Sequence, residues 1–156
     1  MSVSDLLPTV QNRLEKFLEY IFRKLFFWEH DDKRLGTLIR LLHHTVMYGL
    51  GISLILVHTL LPSYWLFLGL YFVTFLIWLQ HILCGGCVVN RIERKFIGDN
   101  MGFVDQFLEA FHMPVTDETT RGVTIMGSTL VLFLLTLELT SRSILNMKYY
   151  LSYLRL

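Results

Sequence analysis

The sequence predicts an all-α integral membrane protein, with three transmembrane helices flanked by amphipathic interfacial helices. Fifty consecutive residues between Arg40 and Arg91 contain no Asp, Glu, Lys or Arg. A second charge-free run follows Arg121 and lasts until Glu138. Around these runs, apolar residues recur at helical spacing. A hydrocarbon layer about 30 Å thick takes about 20 apolar residues per spanning helix, so the first run holds two passes and a tight reversal.

Residues 1–35 predict an N-terminal amphipathic interfacial helix. Ser4 and Asp5 offer an N-cap, and Pro8 falls in the first turn, where its missing N–H does little harm. Val10, Leu14, Phe17, Leu18, Ile21, Leu25 and Trp28 form the apolar arc; Arg13, Glu15, Lys16, Glu19, Arg23 and Lys24 form the polar one. Glu29 to Arg34 reads as a solvated break. With seven basic and six acidic groups in the first forty residues, the segment does not read as a cleavable signal peptide.

The membrane domain covers residues 36–142, with spans at 36–61, 64–89 and 122–141. Pro62-Ser63 marks the reversal, because proline cannot donate the backbone bond a continuing helix needs. Tyr64 and Trp65 sit where an aromatic belt belongs, and Gly49 and Gly51 offer a close helix approach. Between the second and third spans, the connector 91–121 is amphipathic. Phe103, Val104, Phe107, Leu108 and Phe111 make its apolar face, which Pro114 ends. Glu138 interrupts the last turn of the third span and can pair with Arg142 at i+4. Residues 143–156, with Tyr149, Tyr150 and Tyr153 beside Lys148 and Arg155, read as a C-terminal interfacial segment.

Eleven Lys/Arg lie on the side of the N-terminus and connector, against three on the other side. That bias predicts the N-terminus on the cytoplasmic or insertion side and the C-terminus opposite. The net charge of +1 gives no case for nucleic-acid binding.

One group of residues could carry chemistry. His44 precedes the turn and His81 follows it by similar intervals, so an antiparallel hairpin brings them to one depth. His43, Gln80, Cys84 and Cys87 share that region. A hydrogen-bonded interhelical cluster is the ordinary use of such residues. A metal site would take His81, Cys84 and Cys87 and a fourth ligand from His43 or His112; closed zinc sites need four, and no metal centre is expected. Haem b ligation would use His44 and His81 as axial ligands, with His58 near the opposite face. A redox-active Cys84–Cys87 pair is disfavoured by the absence of a soluble βαβ pattern.

Cys84-Gly85-Gly86-Cys87-Val88-Val89-Asn90-Arg91-Ile92-Glu93 resembles the Gly-x-Cys-Pro-Leu-Thr-x-Leu-Glu signature of an uncharacterised family of small bacterial membrane proteins (domain of unknown function 2784). Gly85 or Gly86, Cys87 and Glu93 match in type, with Val88-Val89-Asn90 in place of Pro-Leu-Thr. Gly102 to Phe107 is similar to the stretch that follows the motif there, and the likeness covers about residues 38–140. The resemblance implies a multi-span architecture and no established activity. In physical terms, Gly85, Gly86, Cys87, Asn90 and Glu93 form a structural corner. Glycines permit a sharp bend, Asn90 can cap the next turn, and a buried Glu93 would pair with Arg91, Arg94 or Arg121.

The chain is therefore expected to be a non-catalytic membrane subunit without a cofactor. It would anchor or scaffold other protein subunits at a bilayer, in a respiratory-type assembly or the membrane-facing layer of a large virus particle. The alternative is a haem- or quinone-associated anchor subunit built on His44 and His81. A channel or transporter lacks support, since no charged pore ring or paired broken helix is visible.

Overall fold

A computed structural model describes the backbone of residues 3–61, 63–98 and 102–154, and the side chains of 8–61, 63–98, 102 and 104–146. Pro62 of the expected reversal and Tyr149, Tyr150, Tyr153, Lys148 and Arg155 of the C-terminal segment lie outside the described side chains. Among the described residues there are six α-helices and no strand: α1 (Val3–Leu25), α2 (Asp32–Thr59), α3 (Tyr64–Cys84), α4 (Val88–Ile97), α5 (Phe103–Ala110) and α6 (Asp117–Leu154). Three of them, α2, α3 and α6, are long and apolar enough to cross a membrane.

Several boundaries differ from expectation, each for a local reason. Already helical at Val3, α1 places Ser4 and Asp5 inside the helix. The break before α2 is short, because the Asp31 side chain accepts from Arg34 N–H at 2.9 Å and caps the helix. Ser63 caps α3 in the same way. The second span ends at Cys84, five residues early: Gly85 turns left-handed (φ 62°), and Gly85 and Gly86 N–H both donate to the His81 carbonyl. That releases Cys87 to act as N-cap of α4, so Asn90 lies within the helix and does not cap it. The connector is two helices, and α5 stops at Ala110 instead of Pro114. Leu108 of its expected apolar face is buried, whereas Phe107 and Phe111 meet with tilted rings in the open. Residues 143–154 continue the third span without a break, on the same helix.

Two small cores hold the bundle. At one end, Phe22 of α1, Leu35 and Ile39 of α2, Cys84 of α3, and Val88, Ile92 and Phe96 of α4 pack together. At the other, Val57 of α2, Phe67 of α3 and Leu135 of α6 do so, with Leu54, Leu70, Tyr71 and Leu139 around them. The closest approach is not at Gly49 or Gly51, which have open space beside them. Between α2 and α4 it occurs at Gly36, where an added Cβ would stand 2.6 Å from Ile97 Cγ1 and 2.8 Å from Phe96 Cβ. Most other apolar side chains of the spans face outward, as lipid contact requires.

α1 divides its apolar residues between two surfaces. Leu14, Leu18, Phe22 and Phe26 meet the first core. Val10, Phe17, Ile21, Leu25 and Trp28 remain exposed. Glu15–Arg91 (3.0 Å) and Glu19–Lys95 (2.5 Å) tie α1 to α4.

Candidate functional site

Between the two cores lies a cavity of about 470 Å³. Its walls come from α2 (His43 to Leu54), α3 (Thr74 to His81), the start of α4 (Cys87 and Asn90), Val104 of α5, and α6 (Val123 to Val131). On α2 the wall extends over about 17 Å at the helical rise. His43, His44, His81, Cys87 and Asn90 concentrate at one end, and Leu50, Leu54, Ile77 and Val131 are among the apolar lining. Gly51 and Gly127 leave room where any larger side chain would intrude.

The polar end contains an ordered relay. Cys87 Sγ is 3.6 Å from His43 Nε2, and His43 Nδ1 is 2.5 Å from Glu93 Oε1. Glu93 is almost sealed, its side chain 2 % exposed, and its second oxygen lies 3.7 Å from Arg40 Nε. The partners of Glu93 thus come from α2, not from Arg91, Arg94 or Arg121 as expected. Arg91 pairs with Glu15; Arg94 pairs with Asp105 and lies near Asp117. The Arg121 guanidinium lies where a Cβ on Gly85 would stand.

Local structure explains why Cys87 faces this relay. A helix N-terminus leaves its first amides without intrahelical acceptors and carries partial positive charge. Cys87 sits there as N-cap, and the two positive-φ glycines before it (φ 62° and 125°) turn the chain so that its thiol meets α2. Burial pushes the thiol upward, but hydrogen bonds from His43, His81 and the Asn90 amide outweigh it and hold Cys87 down to about 6. Cys84 lies apart, packed in the first core.

His81 is itself 6 % exposed, and its Nδ1 has no hydrogen-bond partner. His44 stacks on His43 and tilts against Tyr48. His43, His44, His81 and Cys87 therefore border one cavity, while Cys84 does not line it. His112 is exposed, with a positive φ of 55°. Among the described residues, no three His, Cys, Asp or Glu side chains are grouped to hold a metal ion. Both cysteines are free thiols. Gln80 donates to the Gly86 carbonyl at 2.7 Å and braces the corner.

Two further polar nodes support the bundle. Asp105 is fully buried and accepts from Gly102 N–H (2.6 Å), Thr120 Oγ1 (2.5 Å) and Arg94, which joins α4, α5 and α6. At the other end, His58 Nε2 lies 2.5 Å from Glu138, which also accepts from Arg142. Sequence reasoning assigned neither Asp105 nor the His43–Glu93 pair. The signal for Glu93 was present: it lies inside the apolar stripe Val88, Ile92, Phe96 of α4 and must point inward.

Comparison of the chain with protein-family models, with curated proteins and with solved structures returns no match.

Proposed function

We propose that this integral membrane protein binds an amphipathic, lipid-like molecule between α2, α3 and α6, with its polar end at His43, His81 and Cys87 and its hydrocarbon part along Leu50, Leu54 and Val131. The observation that carries this reading is the cavity of about 470 Å³, polar at one end and apolar along its length. Ligand sites have this composition: an apolar lining and a few convergent polar groups. The orphaned Nδ1 of buried His81 offers a ligand atom the hydrogen bond that the protein withholds. A glycerolipid and a prenyl quinone both have the required shape.

Mass spectrometry of organic extracts from the detergent-purified protein tests this. One amphiphile retained through purification, and displaced in Gly127→Trp, is the expected result. Equal lipid content in both proteins would overturn the reading.

A second reading is a non-catalytic subunit that anchors or scaffolds a larger complex. The outward arc of α1 favours it, as do Gly49 and Gly69, exposed small residues with open space beside them that would let another helix approach. Cross-linking in the native membrane through cysteines placed at Gly49 or Gly69 would capture such a neighbour. Adducts limited to lipid would count against it.

A further inference from the structure

We propose that Cys87 is a nucleophile and His43 its general base, and that together they accept a long-chain acyl group from an ester- or thioester-linked lipid held in the cavity. This rests on the lipid-binding reading above and adds a reaction to it. Three independent features converge on it. The Cys87–His43–Glu93 order gives a thiol, an imidazole that meets it through Nε2, and a sealed carboxylate that fixes the ring through Nδ1. A separation of 3.6 Å between sulfur and nitrogen suits an unliganded nucleophile–base pair. Cys87 also opens onto the apolar cavity, whereas Cys84 is packed away from it. Finally, the first turn of α4 supplies backbone amides, and Asn90 and the unpartnered Nδ1 of His81 border the same space. Groups of this kind stabilise the oxyanion of acyl transfer.

The reaction balances without any redox partner. The proton of Cys87 goes to His43 Nε2 before the attack, and the thiolate sulfur then attacks the acyl carbonyl carbon. A C–S bond forms as the bond from that carbon to the donor's alcohol oxygen or thiol sulfur breaks. The leaving group takes the proton from the His43 imidazolium and departs as an alcohol or thiol. Glu93 touches no substrate; it is a positioning residue that orients His43.

The test uses the full chain in phosphatidylcholine nanodiscs with two donors in separate arms. One is phosphatidylcholine bearing an alkyne-tagged acyl chain; the other is the same acyl group as a coenzyme A thioester. The expected result in either arm is a single acyl adduct, removed by hydroxylamine, mapped to Cys87 and absent in Cys87→Ala. The reactive arm identifies whether the donor comes from the bilayer or from water. His43→Gln should slow adduct formation at least about 100-fold. Glu93→Gln should move the pH of half-maximal acylation upward, which a loss of packing alone would not do. A wild-type protein that retains lipid yet forms no adduct in either arm, or is labelled at Cys84, overturns the inference and leaves the binding reading intact. Loss of retained lipid from wild type overturns the binding reading itself.

Discussion

His43 Nδ1 and Glu93 Oε1 lie 2.5 Å apart although fifty residues separate them in the chain. This contact joins a spanning helix to the short helix beyond the second span. It seals a carboxylate that would otherwise be driven to water. Breaking a buried pair by removing one member costs about 3–5 kcal/mol, whereas an exposed pair is worth about 0–1. Glu93→Lys should therefore destabilise the protein several-fold more than Glu15→Lys at the partly exposed Arg91 contact. Thermal unfolding in detergent, followed by circular dichroism, measures the difference.

Gly36 provides a packing test. Its missing Cβ admits Phe96 and Ile97, and the Ile97 backbone N lies 3.0 Å from where that carbon would stand. Gly36→Leu should cost about 1–3 kcal/mol through forced separation of α2 and α4. Gly49→Leu, with open space around it, should be nearly neutral. A larger loss at Gly49 than at Gly36, read by the same unfolding assay, would contradict the packing described.

The two cysteines should behave differently. Cys87, held near 6, remains a thiolate down to about that pH. Its alkylation by a maleimide should be close to plateau at pH 7.5 and fall as pH drops through 6. An ordinary thiol would still be rising above pH 8. Cys84 is buried in the first core and should label slowly at every pH. Tandem mass spectrometry after timed labelling separates the sites. Replacement by serine is also unequal, since at Cys84 it would put a hydroxyl into an apolar cluster.

Orientation follows from charge. Tags at Met1 and within the 91–121 connector should share one compartment, with a tag after Leu156 in the other, because eleven Lys/Arg lie on the first side and three on the second. Protease protection in sealed vesicles reads this directly. Both termini on the same side would refute three crossings.

How far the sequence revealed this architecture depended on the kind of interaction. Long charge-free stretches announce spans because the bilayer demands them, and α2, α3 and α6 occupy the regions where the composition placed spans. The level of His44 and His81 followed from helix rise and one turn. Pairings between distant polar residues were not legible in the same way. Glu93 had three arginines closer in sequence than His43, and only the folded crossing of α2 over α4 selects among them. Likewise, the end of α3 depended on Gly85 adopting φ 62°, a choice made by the local turn, whereas the apolar pattern runs on through Val89.

The length of α6 has a mechanical consequence. At the helical rise its 38 residues measure about 57 Å, nearly twice the roughly 30 Å of hydrocarbon. Tilts within the usual range of up to about 40° cannot absorb that surplus. The helix must therefore run beyond the hydrocarbon layer, into the headgroup region or past it, as one unbroken rod. Force or motion applied at its outer end would be carried down one stiff axis to Thr124 and Ser128 on the cavity wall.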